Sequence, residues 1–301
     1  MIKSTFTPQT KRKNFKNNMY IGLFLLPSFL LLLVFVLWPM IYSMVLSAYE
    51  WDPLKDKIFI GLQNYIQLMK DEYWWISLKN TLVYIVLNVP LIIAVSLIMA
   101  VLVTSVPKLS KLFRGIYFMP TMLSLVATGI VWNYLLSTNN GIINGLLKEI
   151  GLPSVRWFTS SKVAMLSIVI VTVWRWAGYY MVMFVAGILD IPRQFYEAAE
   201  MEGAGVWQKF RYITFPQLKY IIYFVAMMSI IGSFQEFDLF YMITLGGPGT
   251  STYVTGFYMW QQAFSSRKMG YASAMSVVLF ILVFNFTLLQ NRVEQKSGEE
   301  A

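Results

Sequence analysis

Long apolar runs separated by short polar loops set the pattern of this chain. Charge-free stretches occupy 17–49, 80–107, 115–147 and 269–291, and two more, 163–189 and 220–245, are interrupted only by Arg175 and by the pair Glu236 and Asp238. A helix needs roughly 20 apolar residues to cross about 30 Å of hydrocarbon, and every run reaches that length. The runs are apolar all round rather than along one stripe, which argues against a soluble helical bundle. They predict an all-α polytopic membrane protein with six transmembrane helices at about 19–47, 78–104, 114–136, 163–189, 219–244 and 270–290. Loops between them reach only about 25 to 30 residues, so residues 1–301 read as a single transmembrane domain.

Composition agrees with that class: 57% of the 301 residues are hydrophobic and 13% charged, with a mean hydropathy of +0.57. Lys3, Lys11, Arg12, Lys13 and Lys16 resemble the basic start of a secretory signal. The apolar run behind them is too long and lacks a small-residue cleavage site, so it reads as a retained anchor. With the N-terminus placed inside, these five join Lys108, Lys111, Arg114, Arg193, Lys209, Arg211, Lys219, Arg292 and Lys296 on the cytoplasmic side, fourteen in all. Eight fall outside: Lys55, Lys57, Lys70, Lys148, Arg156, Lys162, Arg267 and Lys268. This excess inside predicts that both termini and loop 190–218 face the cytoplasm of a bacterial cell membrane. The net charge of +9 is spread beside span ends rather than gathered in one patch, which speaks for topology and against a nucleic-acid partner. Trp38, Tyr49, Trp51, Tyr73, Trp74, Trp75, Trp132 and Trp157 sit near the outer ends, where an interfacial aromatic belt is expected.

Cysteine and histidine are both absent. That removes Ser-His-Asp and Cys-His nucleophilic sites and the His/Cys zinc sites, so no catalytic or metal residue is expected and the chain does not read as an enzyme. No Gly-x-x-x-x-Gly-Lys-Ser/Thr loop is present either, so no cofactor is expected here and any ATP is bound by a partner subunit.

The segment between the fourth and fifth runs is the most charged part of the interior. Pro192 suits a helix start, and Arg193 to Glu202 follow without a breaker. Gly203 and Gly205 allow a turn, Val206 to Tyr212 can form a second short helix, and Pro216 suits the first turn of the fifth span. Phe195, Ala198, Ala199 and Glu202 recur at three- and four-residue spacing, so one helix face carries small residues between larger ones and permits close approach of a partner. The run Glu197-Ala198-Ala199, then Gly203-Ala204, then Ile213-Thr214-Phe215-Pro216 resembles the EAA loop of binding-protein-dependent ATP-binding-cassette (ABC) importer permeases, with Glu202 where that family often has Asp. The resemblance implies an ABC importer permease fold. It also implies that Glu197, Ala198, Ala199, Glu202, Gly203 and Pro216 form a coupling loop that docks on one of two cytoplasmic ATPase subunits.

A second block, Phe234 to Phe240, Leu245 to Thr252, Ala263-Phe264 and Gly270 to Ala274, looks like the carbohydrate-importer, maltose-type branch. This resemblance covers nearly the whole chain and implies a carbohydrate substrate, a di- or oligosaccharide. It further implies an extracellular substrate-binding protein and a second permease subunit, a heterodimer partner. Sugars are held by aromatic faces and by hydroxyl, amide or charged groups. Trp174, Trp176, Tyr179 and Tyr180 supply aromatic faces, while Ser229, Ser233 and Glu236 share a helix face. The maltose-type pattern carries over to Trp176, Ala177, Tyr180, Ser229 and Ser233 as substrate-path positions, with Glu236 added from its place inside a span. Val173 departs from that pattern, which has a hydrogen-bonding residue there. Gly246-Gly247-Pro248-Gly249 reads as a turn ending the fifth span. The alternatives are an ABC permease for another solute such as glycerol-phosphate, with Arg175 pairing the anion, and an ATP-independent transporter or channel, which leaves the EAA loop unexplained.

The orientation is testable because the chain has no cysteine of its own. A single cysteine at Asn140 is expected to react with an impermeant thiol reagent in intact cells and one at Gln208 to stay unlabelled. The reverse pattern inverts the topology.

Overall fold

The computed structural model describes residues 23–299. The basic residues before Leu23 and the start of the first predicted span lie outside the described residues. Helix α1 (Leu23–Leu46) carries a π-helical stretch, Leu33–Leu37, and the central window of its apolar length has no buried residue. A two-residue hairpin follows, β1 (Tyr49–Glu50) with β2 (Ile58–Phe59), pairing Tyr49 with Phe59 and Glu50 with Ile58. Then come α2 (Gln63–Lys70), α3 (Glu72–Thr104), α4 (Ser110–Met122), α5 (Leu125–Leu135), α6 (Ile142–Glu149) and α7 (Ala164–Asp190). The chain continues through α8 (Arg193–Met201), α9 (Val206–Gln217), α10 (Lys219–Gln235), α11 (Asp238–Ile243), α12 (Thr255–Trp260) and α13 (Met269–Glu299).

Among the described residues, four helices are long and apolar enough to cross a membrane: α1, α3, α7 and the Met269–Leu288 part of α13. Six result when two bent pairs each count as one span, α4 with α5 at 97° and α9 with α10 at 65°. Two spans predicted as continuous are therefore corrected. The run 114–136 breaks at Leu123 and Ser124, whose ψ angles of 143° and 139° are extended. The run 219–244 loses its helix after Gln235, because Glu236 turns to ψ 121° before α11 begins. Apolar content measures length of chain in hydrocarbon and is blind to such breaks.

Helices α3 and α7 form the centre, with α4 and α10 against them. Tyr84, Ile92, Ile168, Val169, Met181, Phe184 and Phe240 are fully buried there, and the Tyr84 and Phe240 rings meet edge to face at 5.0 Å. Close approach of α4 to α7 depends on Gly178: a Cβ at that position would overlap the Tyr117 carbonyl. A second cluster joins Leu68, Trp74, Phe234, Tyr258, Tyr271 and Met275. Trp74 is 1% exposed, so it belongs to this core rather than to the belt expected from its position, whereas Trp38 and Trp75 are exposed.

Asp71 ties this second cluster together. It caps α3 by accepting from the Tyr73 and Trp74 amides, and its other oxygen accepts from the hydroxyls of Tyr258 on α12 and Tyr271 on α13. One short carboxylate thus joins three helices distant in sequence, and bonds to a charged acceptor are the stronger kind. Replacing Asp71 by Ala removes the cap and leaves two phenols without their acceptor, an expected loss of about 3 kcal/mol. Thermal unfolding of the purified complex should show it, with Tyr258→Phe losing about half as much; an unshifted midpoint in Asp71→Ala removes the strut role.

Candidate functional site

A cavity of about 440 Å³ opens between α3, α7 and α10, within the roughly 300–1,000 Å³ usual for ligand pockets. Helix α7 sends Thr172, Trp176, Tyr179 and Tyr180 to its wall, and α10 with its broken end sends Ser229, Ser233, Gln235, Glu236 and Asp238. Five of the six sequence-predicted path residues therefore meet at one place: Trp176, Tyr180, Ser229, Ser233 and Glu236. The sixth, Ala177, is 2% exposed within the core cluster and does not line the cavity. Ser229, Ser233 and Glu236 share a wall because steps of four and three residues return to one helix face.

The aromatic side of the wall is a chain of edge-to-face rings, Trp176 to Tyr179 at 5.9 Å and Tyr179 to Tyr180 at 5.3 Å. The polar side is a set of hydroxyls, two amides and two carboxylates. The Ser229 hydroxyl stands beside the Tyr180 phenol but outside hydrogen-bonding geometry. No Lys or Arg is among the lining residues, while Glu236 and Asp238 both are.

Sequence reading missed the contribution of α3. Tyr84 lines the cavity and donates to the Thr172 hydroxyl at 3.0 Å, and Asn88 lines it and donates through Nδ2 to Ser233 Oγ at 3.1 Å. The sequence did carry a signal, because a polar amide in the middle of a charge-free span is itself costly and more often functional than a surface one. Val173, where the maltose-type pattern has a hydrogen-bonding residue, is buried in the core, and the neighbouring Thr172 reaches the cavity.

Arg175 has a different place from the one its charge suggests. It is 6% exposed, donates from Nη1 to the Leu123 carbonyl at 2.9 Å and to the Thr128 hydroxyl at 3.1 Å, and lies 5.6 Å from the Trp176 ring centre. Among the described residues it forms no ion pair. Leu123 is where the α4–α5 pair breaks, so the guanidinium satisfies a carbonyl that the interrupted helix leaves orphaned. The Gly246 to Gly249 run is a turn knitted by Thr252, whose hydroxyl donates to the Gly247 carbonyl at 2.6 Å; Gly246 and Gly249 have φ of 80° and 60°.

The predicted coupling segment forms a two-helix bracket. Helix α8 ends at Met201, and Gly203, at φ 79°, turns the chain while the Gly203 and Ala204 amides donate to the Glu200 and Ala199 carbonyls. Helix α9 starts at Val206, with the Gly205 amide held by Gln208 Oε1 at 2.7 Å. Lys209 reaches across to Glu200 at 2.7 Å and clamps the two helices; its hydrogen bond and charge hold the Glu200 carboxyl below the usual carboxylate range. Phe195, Ala198, Ala199, Glu202 and Gly203 line one shallow groove, while Glu197 points elsewhere and pairs with Arg193 at 3.5 Å. Pro216 is corrected: it lies in the last turn of α9, after a π-helical stretch Phe210–Thr214, and ahead of the 65° bend beyond which α10 begins at Lys219.

A bundle of apolar helices around a polar, aromatic-walled cavity, with an exposed amphipathic bracket at one end, defines a membrane transport permease. Residues 92–298 match the binding-protein-dependent transport system inner membrane component family, and the chain belongs to it. It is 36% identical over 275 residues to the lactose transport system permease protein LacF of Rhizobium radiobacter, covering 89% of this chain and 91% of that protein. It is 34% identical over 266 residues to the probable ABC transporter permease protein PH1215 of Pyrococcus horikoshii, covering 87% of this chain and 91% of that one. The fold is similar, with a TM-score of 0.84 at 22% identity over 94% of this chain and 96% of the other, to a chain of a bacterial alginate ABC transporter crystallised with its alginate pentasaccharide-bound periplasmic protein.

Replacing Arg175 by Met keeps an apolar stem of similar length but leaves the Leu123 carbonyl unpaired, at a cost of about 1–3 kcal/mol. Lower complex yield and a lower unfolding midpoint are expected, with Arg175→Lys intermediate. Normal stability in Arg175→Met combined with altered solute preference would return this residue to the anion-binding role.

Proposed function

We propose that this permease forms, with a second and non-identical permease subunit, the membrane path of an ABC importer for a neutral di- or oligosaccharide. An extracellular binding protein delivers the sugar, and two cytoplasmic ATPase subunits drive alternating access. The observation that carries the substrate class is the cavity wall, where edge-to-face aromatic rings stand beside hydroxyls and two amides with no cationic lining residue. Aromatic faces match the C–H faces of sugars, and hydroxyl and amide groups match their rims. A phosphate or uronate would face Glu236 and Asp238 with no cationic residue in the wall itself, since Arg175 lies behind it, which weighs against the glycerol-phosphate reading. The name of the lactose permease relative points the same way.

Coupling rests on the bracket. Helix α8 follows directly from α7 and α9 leads into α10, so the two helices that carry most of the cavity wall are those joined by the groove-bearing segment. Docking of Ala198, Ala199, Glu202 and Gly203 on an ATPase would move both walls together. The excess of basic residues on the same side supports a cytoplasmic position for this segment and for both termini. Glu197 contributes charge at the rim through its exposed pair with Arg193. A Cβ at Gly203 would meet nothing within 4 Å, so the demand there is the left-handed backbone alone.

The proposal predicts ATP-dependent uptake in proteoliposomes holding the full complex and binding protein. At least one of the labelled neutral saccharides lactose, maltotriose, raffinose and arabinotriose should enter and glycerol 3-phosphate should not. Glu197→Lys and Gly203→Val are each expected to lower uptake at least tenfold with the chain still in the membrane at normal level. Uptake of glycerol 3-phosphate in preference to every saccharide would reject the substrate class, and normal uptake in both variants would reject the coupling role.

A further inference from the structure

Asn88 stands in the middle of α3, a span with no charged residue between Lys79 and Lys108, and is only 3% exposed. Its amide can make several hydrogen bonds, yet only one is made with another side chain: Nδ2 donates to Ser233 Oγ at 3.1 Å, and Oδ1 has no partner among the described residues. Turning the amide over exchanges the two ends without supplying a second partner, so one polar end is unspent in either orientation. Leaving such an atom unpaired and out of water costs about 1–3 kcal/mol. Packing alone does not account for it, because a leucine of similar volume would fill the position without that cost.

The surroundings indicate what the spare group is for. Asn88 lines the same cavity as Ser229, Ser233, Tyr180 and Trp176. The Ser233 hydroxyl accepts from Asn88 and has no acceptor for its own proton among the described residues. Together the pair offers an acceptor on one helix and a donor on another, joined by a fixed hydrogen bond between them. Two adjacent ring hydroxyls of a sugar present the complement, one O–H to give and one oxygen to receive. Neighbouring Tyr84 is not available in this way, because its hydroxyl is spent on Thr172.

We infer that Asn88 is a specificity-determining residue contributed by the second span, and that with Ser233 it recognises a vicinal diol of the transported saccharide. The inference rests on the carbohydrate reading above. Its content is narrower: a particular pair of hydroxyls is read by the wall formed from α3 and α10.

The test uses the full complex with its binding protein in proteoliposomes, first with lactose, maltotriose, raffinose and arabinotriose, then with monodeoxy derivatives of whichever is imported. Wild type is expected to discriminate against at least one monodeoxy derivative by about tenfold in competition for uptake. Asn88→Leu should reduce that discrimination to less than about twofold while leaving discrimination at the other positions in place. Because each value is a ratio within one variant, a uniform loss of transport does not imitate the effect. Ser233→Ala provides a second route, since it removes the donor and is expected to flatten the response at the neighbouring hydroxyl. Unchanged discrimination in both variants overturns the assignment while leaving the carbohydrate reading intact. Failure of both variants to assemble makes the pair a packing contact and also overturns it. If wild type imports none of the four saccharides, the carbohydrate reading fails and this inference falls with it.

Discussion

Inside hydrocarbon no water is available to satisfy an exposed peptide group, and most of this structure answers to that constraint. A straight helix meets it without help. Here the span made of α4 and α5 is interrupted at Leu123 and Ser124, and the fifth run turns to extended backbone at Glu236. The first interruption is tolerated because Arg175 reaches from α7 to the Leu123 carbonyl and the Thr128 hydroxyl. A buried charge that looks like a ligand for an anion is thereby explained as a backbone partner. Moreover, both interruptions border the cavity, through Leu125 on one side and Glu236, Phe237 and Asp238 on the other. The second interruption itself lines the polar hollow, whereas Leu123 and Ser124 at the first are exposed on this chain and only the next residue, Leu125, reaches the cavity.

The cavity and the bracket share two helices. Tyr180 and Asp190 lie on the same helix α7, about 15 Å apart at 1.5 Å per residue, and Leu218 is the single residue between α9 and α10. The bracket and the cavity wall are thus joined through short links, two extended residues (Ile191 and Pro192) on one side and a 65° bend at Leu218 on the other. The clamp between Lys209 and Glu200 keeps α8 and α9 at a fixed relation, and the Tyr196 and Thr214 hydroxyls, 2.9 Å apart, add a second link. At the other end Asp71 gathers α3, α12 and α13, so the segment after the fifth run is anchored to the second span on one side and to the last on the other.

Most of the architecture was legible from apolar run length, because crossing about 30 Å sets a minimum that few soluble helices reach. The two-helix bracket was legible because its composition contrasts with everything around it, and the turn at Gly203 followed from the demand for positive φ. Breaks in the helices were not legible. Leu123 and Glu236 differ little in type from residues that continue a helix, and what stops them is a partner or a hollow supplied from elsewhere. The same holds for Trp74, placed by sequence at an interface and found in a core with Tyr258 and Met275, which are more than 180 positions away.

The candidate site divides along the same line. Residues on one helix face, such as Ser229, Ser233 and Glu236, were grouped correctly because helical periodicity is a local rule. Ala177 was grouped with them by resemblance but faces the core, and Asn88 and Tyr84 were not seen because α3 lies about ninety residues earlier in the chain. By itself, the sequence determined the class of solvent this protein folds in, the number of apolar runs, the family and the charged segment that forms the two-helix bracket. Each of these depends on composition or on near neighbours along the chain. Which polar groups face one another, which carbonyl Arg175 satisfies, and where the cavity opens were decided only by tertiary structure, since they depend on helices that meet across long separations in sequence.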